Sequence, residues 1–278
     1  VKDNNLLELQ LVLAGPALLE RYGDITNYVI EDGFNITQKV YSVVDGENNT
    51  AMAKTAGLGV MELSDVFNNL RPDIVITIAD RFETISTAIA ASYQNIPLGH
   101  IQGGEVTGNI DEKVRHAITK LSDIHFVSSE DAKKRVLRLG EDPSFVFNSG
   151  CPSIDIAKSI IKTNLEFDPY SIYGGVGHKP DLSKGFIVAM QHPVTNEYSL
   201  SRDHITQTLN VVEDLGLPCL WFWPNIDAGA DGTSTGIRHF RETKKAKNMH
   251  FFKNMRPRDF LSILYHSDCL VGNSSVGI

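Results

Sequence analysis

The feature that most constrains the fold of this chain is a regular alternation of short apolar strands with helices. Apolar runs bounded by turn residues alternate with segments of helical periodicity almost from the first residue. Such alternation is typical of α/β domains built on parallel sheets. With 278 residues, and about 100–200 residues in an ordinary domain, two such domains are expected rather than one.

The alternation lapses over residues 163–184, which carry two prolines and three glycines. Segments of this composition are typical of linkers between domains. We therefore predict an N-terminal Rossmann-like domain over residues 1–165, a linker over 166–184 and a C-terminal Rossmann-like domain over 185–278.

The predicted strands and helices follow from hydrophobic periodicity and turn signals. Strands are predicted at Leu7–Ala14, Ile36–Val44, Asp73–Ile78, Pro97–Ile101, Ile124–Ser128, Ser144–Asn148, Gly185–Met190, Pro218–Phe222, His250–Lys253 and Asp268–Val271. Helices are predicted at Pro16–Tyr22, Thr50–Leu70, Phe82–Gln94, Asp111–Leu121, Ser129–Leu139, Ser153–Lys162, Ser201–Leu215, Gly236–Lys247 and Pro257–His266.

Charge and composition exclude several classes of function. The net charge of -8 argues against broad binding of nucleic acid. No apolar run is long enough to cross a membrane and no signal-peptide pattern opens the chain, so a cytoplasmic protein is expected. The three cysteines lie far apart without a Cys-x-x-Cys pair, so neither a disulfide framework nor a zinc site is expected. No dinucleotide fingerprint is present, and we predict neither a metal nor a cofactor.

Both ends of the chain look incomplete for an α/β fold. The chain enters a strand almost at once, and it stops at Gly277 and Ile278, where a helix should follow the last strand. We therefore expect a fold that is truncated at both ends.

Polar residues cluster where strands of the first domain end, which is where open parallel sheets bind ligands. Asp80 and Arg81 follow one strand, and a glycine-rich segment containing Glu105 follows the next. Glycines allow close approach of a ligand, and carboxylates such as Glu105 and Asp111 can transfer protons. Asp80 and Asp111 could instead only cap helices, with Asp111 paired to Arg115.

Similar clusters follow strands of the second domain. His192 follows a strand directly, and Asn225 lies just after the next one. Ser274 and Ser275 follow the last strand and should open a helix, where backbone N–H groups and hydroxyls can bind a diphosphate. A buried structural histidine and an ordinary serine cap are the alternatives.

Several motifs in this order resemble one enzyme family, the hydrolysing UDP-N-acetylglucosamine 2-epimerases of sialic acid biosynthesis. The motifs are Asp80-Arg81, Gly103-Gly-Glu-Val-Thr-Gly108, Ile110-Asp111, Arg115-His-Ala-Ile-Thr-Lys120, Gly150-Cys-Pro-Ser153, Gln191-His-Pro-Val194, Pro224-Asn-Ile-Asp-Ala-Gly229 and Gly272-Asn-Ser-Ser275. The resemblance spans nearly the whole chain. It implies the GT-B type of fold, in which two Rossmann-like domains face a cleft, and it implies a UDP-sugar substrate and a homo-oligomer, either a dimer or a tetramer.

The resemblance also implies roles for individual residues. It makes Asp80 and Asp111 catalytic carboxylates and His192 a cleft residue beside the sugar and diphosphate. Together with the strand-end argument it gives a site whose predicted catalytic residues are Asp80, Glu105, Asp111 and His192. The predicted substrate-binding residues are Arg81, His100, Gln102, Arg115, Asn225, Ser274 and Ser275.

Gln102 is the one departure from the family pattern that affects chemistry. Many relatives have a catalytic Glu at this position, and a neutral amide cannot transfer a proton as a carboxylate does. Either Glu105 or Asp111 takes over this role in a subgroup of the family, or the chain is impaired in catalysis.

Three other functions are compatible with the sequence. The first is the same reaction on UDP-2,4-diacetamido-trideoxyhexose, and the second is a GT-B glycosyltransferase. The third is a sugar-nucleotide-binding module without activity, for which Gln102 is the best argument.

Overall fold

The computed structural model describes residues 4–20, 25–46, 48–78, 81–108, 110–161, 164–224, 227–244, 246–274 and 276. The chain forms two compact units, one made mostly of residues up to Ile154 and the other mostly of residues from Asp155 onward.

The first 160 residues contain six strands and six helices among the described residues. The strands are β1 (Leu11–Ala14), β2 (Ile36–Val40), β3 (Val75–Ile78), β4 (Leu98–Ile101), β5 (Ile124–Val127) and β6 (Val146–Asn148). The helices are α1 (Thr26–Glu31), α2 (Asn49–Leu70), α3 (Ile85–Tyr93), α4 (Ile110–Leu121), α5 (Glu130–Arg138) and α6 (Pro152–Ile160), with 3₁₀ turns at Gly15–Leu18, Phe82–Thr84 and Pro143–Phe145.

The first unit is organised around a parallel four-stranded sheet in the order β3-β4-β5-β6. Strands β1 and β2 form a separate parallel pair, which shares its core with helices α2, α3 and α4. Leu98 and Ile118 in this core are fully buried, and burial of each such side chain contributes about 1.5–3 kcal/mol. This packing places the ends of β3, β4 and β5 side by side.

The start of α5 shows how local sequence positions one of these helices. The hydroxyl oxygen of Ser129 accepts a hydrogen bond from the backbone N–H of Ala132 at 3.2 Å. Glu130 and Asp131 occupy the first turn, and Arg135 and Arg138 the last. This distribution complements the helix dipole, and it confirms the predicted start at Ser129.

The second unit contains five strands and four helices among its described residues. The strands are β7 (Val176–Gly177), β8 (Ile187–Met190), β9 (Cys219–Phe222), β10 (Met249–Phe252) and β11 (Cys269–Gly272). The helices are α7 (Pro169–Tyr173), α8 (Ser201–Leu215), α9 (Ala230–Lys244) and α10 (Pro257–His266), with a 3₁₀ segment at Thr195–Leu200.

These five strands form one sheet in the order β11-β8-β9-β10-β7, in which β7 alone is antiparallel to its neighbour. Both faces of the sheet are covered. Trp221 and Phe251 lie in the core on one face, and Leu220 and Phe252 lie in the core on the other. Two parallel α/β units confirm the predicted class of two Rossmann-like domains.

The segment predicted as a linker, residues 166–184, contains α7 and β7. Both ring nitrogens of His250 in β10 lie 2.7 Å from backbone carbonyl oxygens of this segment, those of Gly174 and His178. The side chains of Phe167 and Tyr170 pack into the core of the second unit. The glycines of this segment thus allow close packing on β10 instead of serving as a flexible connection.

Helix α9 also differs from the prediction, since it begins at Ala230 and not at Gly236. Glycine is a poor helix former, which is why the sequence pattern delays the start. A side chain at Gly232 would overlap the hydroxyl of Ser201, and one at Gly236 would lie 2.5 Å from the side chain of Ile205. Close packing against α8 requires both glycines.

Candidate active site

Two predicted residues of the first unit lie at the ends of adjacent parallel strands, Arg81 shortly after β3 and Gln102 directly after β4. Ser128, which was not predicted, lies directly after the next strand, β5. Asp80 lies outside the described residues, as do Asn225 and Ser275 of the second unit.

Glu105 and the preceding Gly104 are held at three points by residues of α4, α5 and the end of β5. The hydroxyl of Ser128 donates to Oε1 of Glu105 at 2.5 Å. Nη1 of Arg115 donates to the backbone carbonyl of Glu105 at 2.7 Å, and Nη1 of Arg135 donates to the carbonyl of Gly104 at 3.2 Å. The network brings together the predicted residues Glu105 and Arg115.

Arg115 is only 2% exposed, which is unusual for a charged side chain. Burial lowers its pKa, yet an arginine remains protonated at neutral pH. Its guanidinium therefore supplies a charge-assisted hydrogen bond, of the stronger type, to the backbone beside Glu105. The structure places Arg115 where it orients this loop.

The turn before Glu105 is tightly packed. Gln102 has a positive φ of 68°, which is unfavourable for residues other than glycine, and its backbone N–H donates to the carbonyl of Phe126 at 2.8 Å. A side chain at Gly103 would lie 2.9 Å from Nδ1 of His100, and one at Gly104 would overlap the carbonyl of Ala132. Strained backbone of this kind is common at functional sites.

His100, which the sequence analysis predicts as a substrate-binding residue, lies fully buried in the core. Its Nδ1 is 3.2 Å from the hydroxyl oxygen of Thr119. That hydroxyl donates its proton to the carbonyl of Arg115 at 3.1 Å, so Nδ1 of His100 must be the donor to Thr119. The imidazole packs beneath the turn at Gly103. The side chain of His100 is therefore not accessible from the surface.

The side chain of Gln102 points to Cys151, with its Nε2 donating to the sulfur at 3.2 Å. A thiol is a weak acceptor, so this contact orients the amide without binding it strongly.

Glu112 holds the loop between Glu105 and α4 through two hydrogen bonds from the loop backbone. Its Oε2 accepts from the backbone N–H groups of Thr107 and Gly108 at 2.8 Å and 2.6 Å. These two hydrogen bonds lower the pKa of Glu112, because they stabilise the carboxylate. Asp111 precedes it in the first turn of α4 and is partly buried.

Arg81 is oriented by a residue that the sequence analysis missed. Its Nε donates to Oε1 of Glu83 at 2.8 Å. Oε2 of Glu83 is buried and has no hydrogen-bond partner within the described ranges. Ser128, Arg135 and Asn273 were missed as well, although Ser128 and Asn273 obey the same strand-end rule that identifies the other residues.

In the second unit, His192 and Asn273 connect the ends of neighbouring strands β8 and β11. The backbone N–H of His192 donates to Oδ1 of Asn273 at 2.8 Å, and Nδ2 of Asn273 donates back to the carbonyl of His192 at 2.9 Å. Ser274 follows directly, and its hydroxyl oxygen lies 3.5 Å from the backbone nitrogen of Val276. The structure therefore brings His192 and Ser274 to one edge of the sheet.

Within the described part of the chain, no group of three or more His, Cys, Asp or Glu side chains has an arrangement that could hold a metal ion. None of the described helices combines the length and apolar character that a membrane span needs.

Comparisons with known proteins point to one enzyme family. The family model described as UDP-N-acetylglucosamine 2-epimerase matches residues 1–278. The chain is 32% identical over 282 residues to the GDP/UDP-N,N'-diacetylbacillosamine 2-epimerase (hydrolyzing) of Campylobacter jejuni, covering 100% of this chain and 71% of that protein. It is 33% identical over 284 residues to the polysialic acid biosynthesis protein P7 of Escherichia coli, covering 100% of this chain and 69% of that protein.

Solved structures agree with this comparison. The crystal structure of UDP-GlcNAc 2-epimerase from Neisseria meningitidis bound to UDP-GlcNAc matches with a TM-score of 0.67 at 15% identity, covering 97% of this chain and 78% of that one. Identity at this level shows the fold alone. The structural match confirms the predicted type of fold.

Proposed function

Because this chain belongs to the UDP-N-acetylglucosamine 2-epimerase family, we propose that it catalyses the hydrolytic 2-epimerisation of a UDP-linked 2-acetamido sugar. The observation that carries the proposal is the match of the family model to residues 1–278. The products are UDP and the free sugar with inverted configuration at C2.

The reaction has two steps. A protein base removes the proton from C2 while the bond between C1 and the diphosphate oxygen breaks, which gives UDP and a 2-acetamidoglucal. Water then adds its hydroxyl group to C1, and a proton returns to C2 from the opposite face. One water is consumed for each UDP released.

The proposed proton-transfer groups are the carboxylates Asp80, Glu105 and Asp111. Glu105 is favoured by its geometry, since two arginines hold its backbone segment and Ser128 holds its carboxylate. Gln102 cannot transfer a proton, and its amide is turned to Cys151. We therefore assign to Glu105 or Asp111 the role that a Glu at position 102 has in many relatives.

The proposed role of the second unit is to bind the leaving UDP. His192 and Ser274 lie at one sheet edge, where the pairing of Asn273 with His192 fixes both loops. Hydroxyl and backbone N–H groups at such an edge stabilise the charge that develops on a departing diphosphate. Asn225 and Ser275 are assigned to the same nucleotide site from their motifs.

Two substrates are candidates. UDP-N-acetylglucosamine, giving N-acetylmannosamine for sialic acid biosynthesis in the cytoplasm, is the first. The second is the UDP-linked 2,4-diacetamido sugar, which the name of the Campylobacter jejuni relative favours. The two sugars differ at C4 and C6, so residues contacting these positions decide between them.

A panel of UDP-sugars tests the proposal. The intact purified protein is incubated with UDP-N-acetylglucosamine, UDP-N,N'-diacetylbacillosamine and UDP-glucose, and UDP and free sugar are quantified together. Equal amounts of UDP and a C2-inverted sugar are expected from one of the first two. UDP-glucose, which has no 2-acetamido group, serves as the control. Transfer of the sugar to an added acceptor with no free sugar would favour a glycosyltransferase.

A further inference from the structure

Ser128 lies at the end of a sheet strand, beside the proposed site, where hydrogen bonds hold the backbone. It is the first residue after β5, and the preceding carbonyl, that of Val127, accepts a hydrogen bond from the backbone N–H of Ser149 at 3.0 Å. The side chain of Ser128 is partly buried. The backbone that carries its hydroxyl is therefore held in place by the sheet.

The contact between Ser128 and Glu105 has a defined direction. An ionised carboxylate only accepts hydrogen bonds, so the hydroxyl of Ser128 must donate its single proton to Oε1 of Glu105. The two oxygens lie within hydrogen-bond distance, at 2.5 Å. No other described residue donates to this carboxylate.

Backbone and side chain of Glu105 are held by different residues. Arg115 and Arg135 bind the carbonyls of Glu105 and Gly104 and fix the path of the loop. Among the residues that the structure describes, only Ser128 holds the direction of the carboxylate. Removing the hydroxyl therefore frees the Glu105 side chain while the loop stays in place.

The neighbouring Ser129 has a separate task. It lies at the start of α5 and accepts from the backbone N–H of Ala132, so its hydroxyl stabilises the helix and does not contact Glu105. Of the two adjacent serines, Ser128 holds the Glu105 carboxylate and Ser129 stabilises the start of α5.

We propose that Ser128 is a positioning residue, whose hydroxyl holds the Glu105 carboxylate in the direction needed for proton transfer at C2. This inference rests on the function proposed above. Small displacements of a catalytic group lower the rate strongly even when substrate binding is kept.

Four variants of the intact protein test this role in the UDP-release assay. Ser128→Ala is expected to lower kcat at least tenfold with KM changed less than twofold. Ser128→Thr retains a hydroxyl and should recover kcat to within about threefold of wild type. Ser129→Ala, the matched control, should lower the melting temperature and leave kcat unchanged.

The fourth variant separates positioning from a general structural effect. In a Glu105→Gln background, Ser128→Ala should lower kcat no further, because Ser128 acts through the carboxylate that is already absent. Equal losses from Ser128→Ala in both backgrounds would overturn the inference, and so would a wild-type kcat in Ser128→Ala. A wild-type protein that releases no UDP from any sugar of the panel overturns the proposed function and this inference with it.

Discussion

Glu105 and Gln102 are three residues apart on one tight turn, yet only Glu105 can carry a proton. The positive φ of Gln102 and the close approach of Gly103 to His100 fix this turn. The side chains at its two ends are thereby directed to different partners, Cys151 and Ser128. At the scale of single residues, the proposed mechanism depends on which of these two positions bears a carboxylate.

Loss of a carboxylate should affect turnover more than nucleotide binding. Asp111→Asn is expected to lower kcat by about 10²–10⁴-fold, the usual contribution of acid–base catalysis, with little change in UDP affinity. Ser274→Ala should do the reverse, weakening UDP binding several-fold with a smaller effect on kcat. Calorimetric titration with UDP and initial rates of UDP release measure both. Near-normal turnover in both Asp111→Asn and Asp80→Asn would refute the assignment of these carboxylates.

Replacement of the amide should be tolerated. Gln102→Glu is expected to retain or increase kcat, because it adds a carboxylate where many relatives have one and this group can share proton transfer with Asp111. Gln102→Leu, which offers neither a proton nor a hydrogen bond, is the control. Abolished UDP release in Gln102→Glu would mean that the site requires a neutral amide, as two close carboxylates resist joint ionisation.

The strand-end rule finds much of the candidate site from sequence, but not the contacts that support it. It identifies Glu105 and His192, because each follows an apolar strand within a few residues. It does not distinguish Ser128 from Ser129, since two adjacent serines before a helix both resemble caps. The distinction depends on the position of Glu105, which is 23 residues away in the chain.

At the scale of elements, local periodicity and tertiary packing contribute differently. The central strands β3, β4 and β5 were predicted to within a few residues, because their apolar runs are bounded by turn residues. The elements α7 and β7 were missed, because contacts with β10 hold this glycine-rich segment. The start of α9 was missed for a related reason, the packing of its glycines on α8.

Two glycine substitutions test this account of helix packing. Gly236→Ala should lower the free energy of unfolding by about 1–3 kcal/mol, as overpacking does, because the added methyl group meets Ile205. Gly57→Ala in α2, where no atom lies within 4 Å of the added carbon, should instead stabilise by about 0.5–1 kcal/mol. Urea denaturation of both variants measures the difference. The same sign of effect in both would refute the packing explanation for α9.

A buried histidine makes the stability of the first unit depend on pH. His125 in β5 is 1% exposed, and its Nε2 lies 3.3 Å from Oε2 of Glu141, a residue that also binds Lys120. Burial lowers the pKa of His125 although Glu141 opposes the effect. As the pH falls below about 6.5, the unfolded chain binds the proton first. The free energy of unfolding therefore decreases toward the lowered pKa, by at most about 1.4 kcal/mol per pH unit.

This pH dependence can be measured by urea denaturation at pH 7.5 and 5.5. His125→Gln removes the titrating group, so its loss of stability over this interval should be smaller than that of the wild type. Identical losses in His125→Gln and wild type would show that His125 does not contribute.

At the scale of the whole molecule, each unit has its own sheet, core and set of strand-end residues. In the proposed mechanism, the first unit supplies carboxylates and the second supplies His192 and the Ser274 segment. That mechanism needs both sets, since one is proposed to act on a proton and the other on a leaving diphosphate. Substitutions in the first unit should therefore lower mainly kcat, and substitutions in the second should weaken mainly the binding of UDP.

Turnover in heavy water tests the central claim most directly. An elimination removes the C2 proton as UDP departs, and the returning proton comes from solvent. We expect one deuterium at C2 of the released sugar, together with inverted configuration at C2, as measured by proton NMR and mass spectrometry. A glycosyltransferase or a simple UDP-sugar hydrolase breaks only the bond at C1. Free sugar that is unlabelled and not epimerised at C2 would contradict the proposed mechanism.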